Sequence, residues 1–179
     1  MMLESLASLF RPILEQSTVR QIRRNHGLEH ATIHVLSRGR YALSGRSSDS
    51  GFVLYGDVPT EKVEAAVKEA LRRFKRGEAQ LAIHPNCGTN LVVSGFLTAT
   101  VGALGFVGTT RQRAWERFPL VIIAMMLTVF YALPFGMAVQ KHFTTSGEMG
   151  TLEFVSISRH EWRFLGYQLV MHRILTREA

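Results

Sequence analysis

The chain has 179 residues, of which 46% are hydrophobic and 20% charged, and its formal net charge is +7. This length suits one domain of ordinary size. The basic residues are scattered and form no nucleic-acid-binding motif, so we expect no nucleic-acid partner; the anionic lipids of a bilayer match the charge better. A single cysteine excludes an internal disulfide.

Residues 1–16 have an amphipathic pattern. Their apolar side chains recur at helical spacing, at Leu3, Leu6, Phe10, Ile13 and Leu14. The segment lacks a basic start, and Arg11 and Pro12 interrupt its apolar residues, so it does not resemble a signal peptide. The pattern predicts an amphipathic helix that lies on a membrane or packs on the folded domain.

Residues 17–90 alternate between helical and strand patterns. The predicted elements are a helix from Ser17 or Thr18 to Ser37, a β-hairpin formed by Tyr41–Leu43 and Phe52–Tyr55 around a turn at Arg46–Gly51, an amphipathic helix that starts near Thr60, and a strand at Ala79–Ile83. A strand, a helix and a second strand in this order predict a βαβ-like unit on a small sheet.

Two apolar segments follow, at residues 91–108 and 118–139, and neither contains a charged residue. A helix needs roughly 20 apolar residues to cross a bilayer, so residues 91–139 are predicted to form a transmembrane helical hairpin. Gly95, Ala99 and Ala103 recur every four residues in the first segment. Small residues at this spacing allow close helix contact in lipid, which predicts a homo-oligomer through that face.

The distribution of basic residues predicts the orientation of the hairpin. Six of them flank the two segments, at Arg72, Arg73, Lys75, Arg76, Lys141 and Arg159, whereas the connecting loop carries Arg111, Arg113 and Arg117. Basic residues favour the cytoplasmic side, so both termini are predicted to be cytoplasmic and the protein to lie in a bacterial inner membrane. The spans contain no ionisable residue except Tyr131, which indicates an anchor rather than an ion pathway.

Residues 140–179 are predicted to be a soluble tail. Leu152–Ser158 alternates as a strand does, and Phe164–Thr176 is interpreted as a second strand that returns to the sheet. The predicted fold class is therefore α+β, a small cytoplasmic domain of sheet and helices that is interrupted by a two-helix transmembrane hairpin.

Residues 26–30 read His-Gly-Leu-Glu-His. His26 and His30 are four residues apart and share one face of a helix, so their imidazoles can hold one metal ion. Glu29 can serve beside the metal as a general base. His34 adds a third imidazole one turn further along.

A second polar cluster, His84-Pro-Asn-Cys-Gly-Thr-Asn90, precedes the first apolar segment and contains Cys87. A third metal ligand could come from Cys87, from His84 or from His34. A ligating thiolate favours zinc over magnesium or calcium, so the predicted ion is Zn²⁺. The sequence alone does not bring this cluster close to His26.

The five residues from His26 to His30 resemble the H-x-x-E-H motif of the inverzincins, a class of zinc metallopeptidases. This resemblance implies that His26 and His30 are zinc ligands and that Glu29 is the general base. The combination of HGLEHATIH, IHPNCGTN and a hairpin of two spans also looks like an uncharacterised bacterial family of two-span membrane proteins, which implies no activity.

Several functions therefore stay open. The leading prediction is a membrane-anchored zinc-dependent hydrolase, perhaps a peptidase, whose substrate the sequence does not indicate. The alternative is a non-catalytic membrane protein whose His/Cys cluster holds a structural metal, haem or a pigment. A thiol hydrolase that pairs Cys87 with His84 or His30 is a further alternative. In the last interpretation no metal binds, and the histidines are simply hydrogen-bonded.

Overall fold

The computed structural model describes residues 2–37, 39, 41–164 and 167–179. The chain divides into two compact units, one formed by Met1–His84 with Lys141–Ala179 and one formed by Pro85–Gln140. The first unit combines helices with a four-stranded sheet, and the second is a pair of long helices. The predicted α+β class is confirmed.

Within its described residues, the first unit contains four α-helices and four strands. The helices are α1 (Met2–Leu9), α2 (Arg11–Leu14), α3 (Ser17–Ser37) and α4 (Thr60–Lys75), and the strands are β1 (Ser44–Ser48), β2 (Gly51–Tyr55), β3 (Leu152–Phe164) and β4 (Tyr167–Glu178). The helices that were predicted to begin near Ser17 and Thr60 are confirmed, as are the two strands of the tail. The amphipathic start forms two short helices instead of one, because the chain turns at Phe10, ahead of Pro12.

The strands are arranged in the order β1-β2-β4-β3, and all three pairings are antiparallel in the described part of the chain. Strand β4 therefore lies between β2 and β3, with Leu54 of β2 opposite His172. The predicted βαβ-like unit was wrong, because the tail supplies the neighbour of β2. The predicted strand at Ala79–Ile83 was also wrong, since Ala79–Ala82 is a 3₁₀ helix.

The hairpin of β1 and β2 is confirmed, but its first strand lies later in the chain than predicted. Strand β1 is the polar sequence Ser44–Ser48, whose side chains alternate between exposed and half-buried. As an edge strand with one solvated face it needs no large apolar residues. The turn is only Asp49 and Ser50, where the Asp49 carboxylate accepts a hydrogen bond from the Ser50 backbone N–H at 2.8 Å.

Helices α3 and α4 share one core with the sheet. The apolar stripe of α4 recurs at intervals of three and four residues, at Val63, Ala66, Val67, Ala70, Leu71 and Phe74, all of which are buried. It packs in the same cluster as Leu28 and Ala31 of α3, Phe52 and Leu54 of β2, and Ile174 of β4. This core fixes one face of α3 and leaves the adjoining faces to polar contacts.

Polar side chains tie α3 to the sheet immediately before the His-Gly-Leu-Glu-His sequence. The buried Asn25 amide donates to the backbone oxygens of Ser48 and Asp49 at 2.9 and 3.0 Å. Its own oxygen accepts from the Thr176 hydroxyl at 2.6 Å. These bonds satisfy a buried amide and set the rotation of α3 against the sheet.

One ion cluster links the same helix to the end of β4 and makes stability depend on pH. Although burial raises the pKa of Glu178, hydrogen bonds from Arg20 and Arg24 lower it further, so the net pKa lies below its usual value. A depressed folded-state pKa contributes stability above the unfolded pKa of about 4.3, and this contribution is lost as the pH falls through the folded value.

We therefore expect Glu178→Gln to destabilise the protein at pH 7 by about 1 kcal/mol and to match the wild type when the carboxyl is protonated. Thermal unfolding in detergent at pH 7 and at acidic pH measures the difference. Glu64→Gln is the matched control, because the Glu64–Lys68 pair is exposed and should matter less. An equal loss at both pH values would contradict the prediction.

The second unit consists of α5 (Gly88–Phe106) and α6 (Arg111–Val139), and α6 continues into a π-helical turn at Gln140–Thr144. The connection is shorter than predicted, because α6 begins seven residues before Phe118 and the Thr110 hydroxyl caps it by accepting from Arg113 N. Both helices are long and apolar enough to cross a membrane, by length and composition.

The two helices of this unit pack through small residues of α5. A Cβ built on Gly105 would lie 2.5 Å from the Val121 side chain, and one on Gly102 would lie 3.2 Å from Met125 Sδ, so glycines let the helices come close. The Gly95/Ala99/Ala103 face is exposed and lies outside this contact. The predicted homo-oligomer through that face stays a prediction.

Candidate metal centre

Helix α3 places His26 and His30 side by side. Their ring centroids are 4.4 Å apart, with the planes at 62° to one another. His30 is 2% exposed, whereas His26 is only partly buried. The spacing of four residues therefore brings two imidazoles together at the boundary between the core and the surface of the first unit.

Both rings are hydrogen-bonded to backbone carbonyls through the same nitrogen. His26 Nδ1 lies 2.9 Å from Thr144 O, and His30 Nδ1 lies 2.7 Å from Ala82 O. A carbonyl oxygen can only accept, so each Nδ1 carries the proton and the lone pair is on Nε2. Metal-ligating histidines typically have this arrangement, with one ring N–H held by a carbonyl and the other nitrogen directed to the metal.

The glycine between the two histidines makes these hydrogen bonds possible. A Cβ on Gly27 would lie 2.2 Å from Ser146 O and 3.2 Å from the Ala82 side chain, so only glycine lets both neighbouring segments approach α3. The Ser146 N–H donates to Arg23 O at 2.9 Å, which fixes the segment after the π-helical turn.

Arg23 holds the same segment from the other side. Its Nη2 donates to the backbone oxygens of His142 and Thr145, each at 3.3 Å. Burial is the main cause that lowers the pKa of this guanidinium from its usual value. The sequence analysis missed both Arg23 and Gly27 as residues of the site; an isolated glycine inside a strong helical pattern was the signal that could have identified Gly27.

His84 adds a third imidazole to the first unit. Its ring centroid lies 5.6 Å from that of His30, with the planes tilted by 42°. Burial lowers the pKa of His84, and the nearby imidazole of His34 lowers it further, which favours the neutral form that can bind a metal. His34 itself is exposed, one turn beyond His30 on α3.

Glu29 lies against the sheet. Its side chain is 4% exposed, and a Cβ built on Gly45 of β1 would lie 2.4 Å from Glu29 Oε1. Consecutive residues of a helix point about 100° apart, so Glu29 occupies the face beside that of His30. Because Gly45 has no side chain, the Glu29 carboxylate can occupy this position against β1.

Cys87 is the residue that caps the N-terminus of α5 in the second unit, where its Sγ accepts from Thr89 N at 3.4 Å. Two amides hold the turn that carries it. Asn90 Nδ2 donates to Pro85 O at 2.6 Å, and the buried Gln140 donates to Asn90 Oδ1 at 2.7 Å. The turn is thus fixed to the end of α6 by the side chains of Asn90 and Gln140.

Comparison with known proteins finds a family but no activity. A family model described as "Domain of unknown function (DUF6391)" matches residues 21–157. An uncharacterized protein of Picosynechococcus sp. is 33% identical over an alignment of 153 residues, and the match covers 72% of this chain and 75% of that protein. No solved structure matches the chain. None of these comparisons shows the resemblance to the inverzincins, which stays a prediction from the residues His26 to His30.

Proposed function

From the premise that this chain belongs to the family described as a domain of unknown function (DUF6391), we propose that it is a membrane-anchored, zinc-dependent hydrolase. The family match runs from residue 21 to residue 157, so it includes most of α3, the segment His84–Cys87, here called the HPNC turn, and both apolar helices. The candidate metal ligands and the two apolar helices thus lie within the region that the family model matches.

The observation that carries the metal proposal is the pair of Nδ1 hydrogen bonds in α3. Because the carbonyls of Thr144 and Ala82 hold Nδ1, Nε2 of both His26 and His30 is the ligating nitrogen. Two imidazoles with a thiolate or a third imidazole form a donor set that suits zinc and not magnesium or calcium.

Cys87 is the third ligand in this proposal. It follows His84 by three residues, and a chain of three residues spans at most about 11 Å, so the sequence itself keeps the thiol near the imidazole of His84. The proposed donor set is therefore the two imidazoles of His26 and His30 with the thiolate of Cys87. His84 and His34 are the further candidate ligands.

Glu29 is the base of the proposed hydrolase. Zinc, when bound, supplies a Lewis acid that makes water acidic near neutral pH. The carboxylate would accept the proton of the attacking water and return it to the leaving group, as general acid–base catalysis requires. The resemblance to the inverzincins favours a peptide bond as the group that is cleaved.

The contact of Glu29 with β1 favours a second candidate, a closed structural zinc site. A carboxylate packed against the Gly45 position is held by the sheet, and the His84 ring lies next to His30 as a third imidazole. A zinc ion with four protein ligands has no position for water and serves stability alone. The alternatives of haem and pigment would use the same imidazoles.

The membrane part of the proposal depends on the two helices of the second unit. Both are long and apolar enough to span, and many of their large apolar side chains are exposed. A bilayer is the partner that covers such surface. The six flanking basic residues favour cytoplasmic termini in a bacterial inner membrane, and the Gly95/Ala99/Ala103 face is the proposed contact of a homo-oligomer.

Cobalt substitution of the full-length protein in detergent tests the proposal. We expect one equivalent of Co²⁺ to bind with a thiolate-to-metal absorption band, and Cys87→Ser to remove that band while His160→Ala, on the exposed face of β3, leaves it unchanged. Added azide separates the two candidates, because only a site with an open coordination position takes it up. Cobalt binding without the thiolate band would exclude Cys87, and no binding would overturn the metal proposal.

Glu29→Gln completes the test of the hydrolase. In a catalytic site this variant keeps cobalt but shifts the pH dependence of its spectrum, since the base beside the metal has lost its charge. In a structural site the cobalt spectrum of the wild type does not change with pH near neutrality or on addition of azide. The spectrum of Glu29→Gln is then equally insensitive to both. That outcome would leave the structural candidate.

A further inference from the structure

A groove of about 460 Å³ lies within the second unit, between α5 and α6 at the end that carries the HPNC turn. Leu91 and Ser94 of α5 form one wall, and Phe130 and Leu133 of α6 form the other. Cys87 and Asn90 lie at its polar end. The groove is therefore apolar along the helices and polar where α5 begins.

We propose that this groove binds one acyl chain of a membrane phospholipid, with the ester and phosphate groups at the HPNC turn. The ligand is then a lipid of the surrounding bilayer, which can enter the groove directly from the membrane. Membrane insertion of the hairpin is the only part of the proposed function that this binding requires.

The apolar walls match a hydrocarbon chain. Leu91 and Phe130 are 77% and 79% exposed, which is costly in water and favourable in lipid. An acyl chain is narrow and flexible, so it can follow a groove between two helices that contact each other closely further along, at Gly102 and Gly105. A bulky helix of another protein would cover the surface without entering the groove.

The polar end matches a phosphate and not a bare hydrocarbon. The groove ends at the N-terminus of α5, where the helix dipole leaves a partial positive charge that stabilises an anion. Asn86, Asn90 and Cys87 line the same end and make it more polar than the walls formed by the helices. An amphiphile with an anionic head and an apolar chain satisfies both parts of the groove at once.

The position of Cys87 extends the inference to the substrate, and this step rests on the proposed function. Cys87 lines the groove and is also the proposed third zinc ligand. An ester or amide that is joined to the bound acyl chain would then lie beside the metal centre. The substrate class of the hydrolase would be a lipid-borne ester or amide rather than a soluble peptide.

The thiol of Cys87, the chain's only cysteine, reports directly on the occupancy of the groove. We would measure the rate of its alkylation by a maleimide in the full-length, metal-free protein in detergent, with and without dioleoyl phosphatidylglycerol. At lipid concentrations about ten times the dissociation constant, the rate should fall about tenfold, as mass action requires. The soluble headgroup glycerophosphoglycerol should leave it unchanged.

Two variants and the number of bound phospholipids test the proposal further. Ser94→Phe fills the groove, so Cys87 of this variant should be alkylated slowly, at a rate that the lipid does not change. Val92→Phe lies on the exposed surface of α5, so the lipid should slow its alkylation as it does in the wild type. Native mass spectrometry should find one phospholipid on the wild type and none on Ser94→Phe. Alkylation that the lipid does not slow, or that Ser94→Phe leaves equally lipid-sensitive, would overturn the proposal.

The use of metal-free protein separates this inference from the proposed function. Protection by lipid with no metal bound supports the groove whatever the cobalt experiment shows. Cobalt binding without lipid protection would keep the zinc site and reject a lipid substrate.

Discussion

Replacing His30 with alanine is expected to weaken zinc binding by at least about a hundredfold, because loss of even an outer-shell partner of a ligand costs 10–100-fold. His30 is the central imidazole of the three, with ring centroids 4.4 Å from His26 and 5.6 Å from His84. The change also leaves Ala82 O without its buried donor. Competition with a chromophoric chelator measures the affinity.

A matched control separates loss of a ligand from loss of a buried imidazole. His172 of β4 is 0% exposed and contacts Thr60, away from the three histidines. His172→Ala removes the same side chain from the interior of the same unit, so it should reduce stability and leave the zinc affinity within about twofold of the wild type, since it touches no ligand or outer-shell partner. Equal zinc affinity in the His30→Ala variant and the wild type would reject the metal centre.

Gly27→Ala is expected to reverse the usual effect of this substitution in a helix. At an open helical position, alanine stabilises by about 1 kcal/mol relative to glycine. Here the new Cβ would lie 2.2 Å from Ser146 O, which is backbone and cannot turn aside, so we expect a loss of about 1–3 kcal/mol. The shift of this segment would also remove Thr144 O from His26, which lowers zinc affinity about 10–100-fold.

Gly95→Ala is the control for that prediction. Gly95 is also helical, in α5, and a Cβ there has nothing within 4 Å. It should leave zinc affinity and thermal unfolding unchanged or slightly improve the latter. If Gly27→Ala unfolds at the same temperature as the wild type and binds zinc equally well, the close approach of Ser146 does not shape the site.

The helices could be predicted from the sequence because their signals are local. The stripe of α4 and the two uncharged segments repeat over several turns, and periodicity reports on such elements directly. The order of the sheet could not be predicted, since β4 reaches β2 from more than a hundred residues away. The predicted strand at Ala79–Ile83 was wrong because an apolar run of this length has no periodicity that distinguishes a strand from a 3₁₀ helix.

The candidate ligands of the site could be predicted from the sequence, but the backbone groups that orient them could not. The spacing of His26 and His30 fixes their common face, whatever the rest of the chain does. The carbonyls that orient them come from Ala82 and Thr144, 52 and 118 residues away from their partners. Backbone atoms have no residue-specific signature, so no pattern in the sequence could reveal these bonds.

The position of β4 in the middle of the sheet determines the order in which the protein can be completed during synthesis. Strands β1 and β2 are made early, but a two-stranded hairpin alone is marginal in water. Their partner β4 is made after both apolar helices, as is the segment that brings Thr144 O to His26. The ribosome must therefore synthesise α5 and α6 before the first unit can close and before Thr144 O can reach His26.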